Sequence, residues 1–210
     1  MTFASHSDSW SVFWRYLTGL GDLAVVLPCA IILGAWLVCH AESRRQAKRW
    51  SIAFLTVATL VGASKLAYMA WGLGIPSLDF IGFSGHSAVA TLVWPTLLGV
   101  LADRWGTARR SLGMGLGLLL ALCVCVSRVV LHAHSVAEVV AGFALGLVAL
   151  LEFWRELFAA RLPERKASLL LLLALVVPLA GGHRFPSEGL LRAVAIELNH
   201  RHMAHARHEL

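Results

Sequence analysis

The sequence predicts an all-α, polytopic membrane bundle on three observations. Hydrophobic residues make up 58% of the 210 positions and charged residues only 14%; the apolar residues collect in runs long enough to cross a bilayer; and the Lys and Arg residues fall in short clusters between those runs. No linker, repeat or low-complexity tract divides the chain, so residues 1–210 read as one membrane-embedded domain. Within it, 1–21 reads as an interfacial segment, 22–183 as a six-helix core and 184–210 as an amphipathic, His-rich tail.

The opening segment interleaves Trp10, Phe13, Trp14 and Leu17 with polar groups and lacks the basic start and small-residue cleavage site of a signal peptide. It fits a helix lying on the membrane surface. A spanning helix needs about 20 mostly apolar residues to cross about 30 Å of hydrocarbon. The ranges 22–40, 50–72, 85–102, 111–128, 134–154 and 167–183 answer that description, the last being the shortest. After Gly182 the chain leaves the membrane, and a second surface helix follows with Leu190, Leu191, Val194 and Leu198 on its apolar side. His200, His202, His205 and His208 then crowd the tail; with no set carboxylate spacing they read as solvated rather than as a metal site.

The net charge of +6 forms no basic stripe on a polar face, which argues against nucleic acid. The basic residues set topology instead. Arg44, Arg45, Lys48 and Arg49, then Arg104, Arg109 and Arg110, then Arg155, Arg161, Arg165 and Lys166 occupy three connections on one side of the bundle, which are expected to be cytoplasmic. Both chain ends then lie outside. Trp50, Trp105 and Trp154 suit an inner aromatic belt, and Trp10, Trp14 and Trp71 an outer one. Gly113, Gly115 and Gly117, with Gly142 and Gly146, are expected to let helix backbones approach. Cys29, Cys39, Cys123 and Cys125 lack metal or disulfide spacing and read as small buried apolar groups.

Ionisable groups in spanning segments are costly and so point to function. Lys65 stands about 22 Å along a helix from Trp50, at about 1.5 Å per residue, which places it toward the outer face. Ser84, Gly85 and His86 begin the third span, Ser127 and Arg128 end the fourth, and His134 with Glu138 begins the fifth. The path of the chain therefore brings all of them to one boundary. Singly, Lys65 reads as a snorkelling side chain, Arg128 as an interface anchor and His86 as a capped-helix histidine. Together they describe an anion site. Ser84 as N-cap and Gly85 expose helix N-terminal N–H groups, and Lys65 and Arg128 add two cations. His134 and Glu138, four apart, allow the carboxylate to hold one ring nitrogen and leave the other to attack, while His86 protonates a leaving oxygen. A rival reading takes His132, His134 and Glu138 as zinc ligands, but residues two apart do not share a helical face.

These residues resemble the type 2 phosphatidic acid phosphatase superfamily, membrane relatives of the vanadium haloperoxidases. The stretch "SRVVLHAHSVAE" carries Ser127, Arg128, His134 and Glu138 at the spacing of that family's third motif, with Glu138 in place of aspartate. "FSGH", Phe83 to His86, matches the second motif, with Phe83 in place of proline. Lys65 alone represents the first, since Gly72 stands where the family has arginine. The resemblance implies that His134 attacks phosphorus to form a phosphohistidine, that Glu138 orients it, and that His86 protonates the leaving alcohol and later activates water. Lys65, Ser84, Gly85, Ser127 and Arg128 would hold the phosphate, and no metal or cofactor is implied. Arg184 or a tail histidine are candidates for the missing arginine's place. The expected substrate is a membrane lipid phosphate or pyrophosphate entering from the periplasmic side of a bacterial inner membrane. Phosphotransfer to another hydroxyl with the same residues, and noncatalytic binding or transport of a lipid phosphate, are the alternatives. Polyprenyl, glycerolipid and lipid A phosphates are not distinguished.

Overall fold

The computed structural model describes residues 4–103, 106–159, 162, 166–180, 185–199 and 204–205. Among the residues singled out above, Arg104, Trp105, Arg161, Arg165, Gly182, Arg184, His200, His202 and His208 lie outside that set. Every regular element among the described residues is helical: α1 Ala4–Gly19, α2 Leu23–Val38, α3 Arg44–Trp71, α4 Gly85–Ala102, α5 Thr107–Val130, α6 Val136–Ala159, α7 Ala167–Ala180 and α8 Ser187–Asn199.

The core is built around α4. From Ser87 to Leu97 every residue of that helix is buried, while α2, α3, α5 and α6 pack around it. The partners reverse the pattern, turning Ile31, Leu55, Leu116, Leu119, Val140 and Val148 outward. A helix that is apolar on both faces, buried on one and exposed on the other, is what a lipid-facing perimeter requires. The hydroxyls carried into the core are satisfied locally: Thr91 and Thr96 donate to the carbonyls of Ser87 and Leu92, four residues back.

Glycines set how closely α5 and α6 approach α4. A Cβ on Gly113 would lie 2.4 Å from the Leu98 carbonyl oxygen and one on Gly117 2.5 Å from Pro95. A Cβ on Gly142 or Gly146 would lie 2.5 and 2.3 Å from the carbonyl oxygens of Ser84 and Ala88. Gly115 departs from expectation, because nothing lies within 4 Å of its Cβ position. At about 100° per residue it points some 200° away from Gly113 and so faces outward.

Among the described residues, five helical stretches are long and apolar enough to span a membrane: Trp10–Val38, Ala41–Trp71, Gly85–Ala102, Thr107–Val130 and Val136–Phe158. One expectation changes here: the first span draws on α1 as well as α2. The expected sixth span is described as α7 over Ala167–Ala180, and residues 181–183 of it lie outside the described residues. Trp50 is also not a belt residue. It is buried between Phe54 and Phe153, and its Nε1–H donates to the Ala30 carbonyl at 3.1 Å. Of the cysteines, Cys29 and Cys125 are buried as expected, whereas Cys39 is exposed and Cys123 half-buried.

Two basic residues counted as topology markers are interior. Arg110 and Lys166 are buried against Asp103, tying the start of α5 and the approach to α7 to the end of α4. At the other end of the bundle α8 docks on α3 through Ala195 and Ala70, while Leu190, Val194 and Leu198 stay exposed. His205 is not a solvated tail residue: its N–H donates to the Met69 carbonyl at 2.9 Å and its ring lies beside Tyr68.

Candidate active site

Glu138 organises the end of the bundle where α3, α4, α5 and α6 meet. The sequence Ser135-Val-Ala-Glu138 forms a reciprocal cap: the Glu138 N–H donates to Ser135 Oγ and the Ser135 N–H donates to Glu138 Oε2, both at 3.2 Å. The same Oε2 accepts a hydrogen bond from His134 Nδ1 at 2.6 Å, and Oε1 accepts the Ile81 N–H at 3.0 Å. A carboxylate can only accept, so Nδ1 carries the ring proton and Nε2 keeps its lone pair. Glu138 is fully buried and His134 nearly so, with side chains 0% and 7% exposed. The extra methylene of glutamate therefore reaches the ring without loss of contact.

Ser84 caps α4 as expected. Its Oγ accepts the Ser87 hydroxyl at 2.9 Å and the Ser87 N–H at 3.5 Å, and its N–H donates to the Glu138 carbonyl at 3.1 Å. That last bond is possible because Gly142 lets α6 lie against the Ser84 backbone. Gly85, the first residue of α4, sits where a Cβ would press on Val61 of α3 at 3.3 Å.

Two of the sequence departures have local reasons. The Phe83 N–H donates to Ser64 Oγ at 3.1 Å, a bond that proline could not make. Gly72 ends α3 with φ of 69°, a left-handed cap that favours glycine, and the His205 ring fills the space its side chain would take.

The cations arrive from two helices. Lys65 of α3 pairs with Glu188 of α8 at 3.3 Å, and Lys65 holds the Glu188 carboxyl below the usual carboxylate range. Arg128, in the last turn of α5, donates through Nη1 to Thr18 Oγ1 at 2.9 Å. Both cations are close enough to oppose protonation of His134. His86, in the first turn of α4, faces Asp22, Arg128 and His134. Its Nε2 lies 3.7 Å from Asp22 Oδ2. Ser127 is the exception in the predicted set. It is buried, and its hydroxyl donates to the Val124 carbonyl of its own helix. His132, of the rival metal reading, is exposed at a left-handed φ of 52°, and among the described residues no three His, Cys, Asp or Glu side chains gather as a metal site.

Sequence reasoning missed Thr18, Asp22, Ser64 and Ser135. Ser135 was accessible as a serine three residues before a glutamate at the head of an apolar run. The other three meet their partners only through tertiary packing.

Comparison with known proteins bears on this geometry. Residues 74–162 match the family model described as the PAP2 superfamily. This segment belongs to the PAP2 superfamily. It contains His86, Arg128, His134 and Glu138. Lys65, Thr18 and Asp22 lie ahead of the PAP2 segment. The chain is also similar to the "Uncharacterized 22.5 kDa protein in cps region" of Klebsiella pneumoniae, 41% identical over 133 residues, 63% of this chain and 64% of that protein. It thus spans slightly under two thirds of the length of this curated relative. No solved structure matches the chain.

Proposed function

We propose that the protein is a metal-independent phosphatase of membrane lipid phosphates or pyrophosphates, working through a phosphohistidine. The observation that carries this reading is the His134–Glu138 contact of 2.6 Å, which leaves Nε2 as the free nucleophile beside two cations. His134 Nε2 forms the bond to phosphorus as the bond to the leaving oxygen breaks, and His86 gives that oxygen its proton. In the second step His86 takes a proton from water, whose oxygen displaces His134 from phosphorus. Lys65, Arg128 and the N–H groups at the start of α4 stabilise the charge on the phosphoryl oxygens. The lipid tail stays in the bilayer while the headgroup enters from the periplasmic side of a bacterial inner membrane, a reading supported by the basic connections lying at the other end of the bundle.

The test is a phosphate-release screen of the purified chain in mixed micelles. Polyprenyl, glycerolipid and lipid A phosphates are each assayed with and without a chelator. Release from at least one class, unchanged by the chelator, is expected; no release from any class overturns the reading, and release only with added metal overturns its metal independence.

The pH dependence has a definite sign. His134 lies in the turn before α6, outside the spanning helices, and burial pushes its ring below the ordinary histidine range, with Glu138 pulling the other way and Lys65 and Arg128 adding to the depression. The nucleophile must be neutral at Nε2, so it stays competent to lower pH than an ordinary histidine. The acid limb of the kcat/KM profile is therefore expected below about pH 6.5. An acid limb at or above that value argues against a buried neutral His134 as nucleophile.

A further inference from the structure

We propose that the corner joining α1 to α2, from Thr18 to Asp22, is a wall of the active site, in which Asp22 positions His86 and Thr18 positions Arg128. This rests on the phosphatase reading for what the wall serves, but the corner itself lies ahead of the PAP2 segment.

Four of the five residues from Thr18 to Asp22 meet the site or the helix that carries it. Thr18, buried, accepts the Arg128 hydrogen bond at 2.9 Å. The Leu20 carbonyl accepts Trp94 Nε1–H of α4 at 2.9 Å, which pins the corner against the central helix. Gly21 permits the approach: a Cβ there would lie 2.5 Å from Val124 and 3.2 Å from the Cβ of His86. Asp22 then divides its two oxygens. Oδ1 caps α2 by accepting the Ala24 N–H at 2.9 Å and also accepts the Phe185 N–H at 3.2 Å. Oδ2 faces His86 Nε2 at 3.7 Å. One oxygen holds the fold and the other addresses the ring.

That division suits a proton donor. Arg128 and the His134 ring also bear on His86, and both can carry positive charge. Asp22 is the carboxylate among these groups, the counter-charge available to the ring when it holds the proton that a leaving alkoxide needs. At 3.7 Å the contact is a charge pair rather than a hydrogen bond, so the ring can still turn its proton toward substrate. Thr18 fixes one arm of the Arg128 fork and so sets the orientation of the guanidinium plane.

The test exploits asparagine, which caps a helix about as well as aspartate and still accepts through its amide oxygen. Asp22→Asn removes the charge and keeps both backbone bonds; Thr18→Val removes the hydroxyl at constant shape. In the full chain in micelles, the thermal midpoint, kcat and KM for lipid phosphate, and the Kd for orthovanadate are measured. Asp22→Asn is expected to keep the midpoint and KM while kcat falls about 10- to 100-fold near neutral pH, with partial recovery in Asp22→Glu. Thr18→Val is expected to raise KM and the orthovanadate Kd about tenfold while kcat changes little.

Parent-like kinetics and orthovanadate binding in both variants overturn the corner's role and leave the phosphatase reading standing. So does a uniform loss of midpoint, kcat and KM that Asp22→Glu does not relieve, since that is a structural corner only. Orthovanadate binding that depends on Thr18, in a parent that releases no phosphate, supports the corner and overturns the hydrolase reading. A parent that neither binds orthovanadate nor releases phosphate overturns both.

Discussion

Phosphate release by His134→Ala is expected to fall to background, and Glu138→Gln is expected to lower kcat by about 10⁴-fold, the scale seen when a buried carboxylate that sets a catalytic histidine's tautomer is neutralised in a hydrolase triad. The reason lies in which nitrogen carries the proton. Glu138 accepts from His134 Nδ1 at 2.6 Å while its two oxygens also take the N–H groups of Ile81 and Ser135. A glutamine amide offers one oxygen where the carboxylate offers two. With that oxygen toward the Ile81 N–H, its NH₂ faces Nδ1 and the Ser135 N–H, forcing the proton to Nε2 and removing the lone pair that attacks phosphorus; with the oxygen toward Nδ1, its NH₂ opposes the Ile81 N–H and the ring that becomes positive on attack has lost its counter-charge. Glu138→Asp keeps the charge but draws it back by a methylene, so a smaller loss of about 10- to 100-fold is expected, on the scale of a misplaced catalytic group. Initial rates on a lipid phosphate, with monodispersity and helicity checked for each variant, measure this. Glu138→Gln retaining more than about a tenth of the parent rate would sink the assigned role, because a wrong tautomer of the nucleophile is not compatible with that activity.

Much of this geometry was legible because the spacing rules are local. Ser84 was placed as an N-cap by its position before an apolar run, and it caps α4. The four-residue interval from His134 to Glu138 brought the two side chains together, although not as neighbours on a helix face. His134 precedes α6 and Glu138 sits in its first turn, and the Ser135 cap folds the carboxylate back onto the ring. Gly142 and Gly146, four apart, share a face against α4, as do Gly113 and Gly117. Gly115 was misread because its phase was not followed around the helix.

What stayed hidden is of two kinds. Thr18, Asp22 and Ser64 are ordinary polar residues in sequence, and their roles come from contacts with residues 110, 64 and 19 positions away. No periodicity encodes such a meeting. The second kind is the meaning of a charge. Arg110 and Lys166 counted with the solvated cations that orient a membrane protein, because a run of basic residues gives no sign of which ones turn inward. Nor did the sequence explain Phe83 and Gly72 where the family has proline and arginine. Ser64 waiting for an N–H and the left-handed end of α3 supply those reasons.

Asp103→Ala is expected to destabilise the bundle by about 3–5 kcal/mol, the cost of breaking a buried ion pair from one side. Asp103 stands at the C-terminus of α4, where the helix dipole disfavours a carboxylate, so its charge is tolerated only through its partners. Arg110 contacts Oδ1 through Nε and Nη2, and Lys166 Nζ reaches Oδ2 at 2.9 Å. Both cations are buried, 5% and 3% exposed. Arg110 is further fixed by donating to the Leu157 carbonyl at 2.6 Å and by lying over the Phe158 ring, 5.3 Å from its centroid. Removing Asp103 strands two cations in a cavity that holds the end of α4, the start of α5, the end of α6 and the approach to α7. Replacing all three, as Asp103→Leu with Arg110→Met and Lys166→Met, is expected to recover much of the loss, since an apolar substitute pays no desolvation penalty. Thermal midpoints in one detergent, compared across the single and triple variants, measure both effects. An Asp103→Ala midpoint equal to the parent's would show that water reaches the cluster and that the charges need no partner. Because the cluster is at the opposite end of α4 from His86, folded Asp103→Ala protein is expected to keep the parent KM, which separates loss of the scaffold from damage to the site.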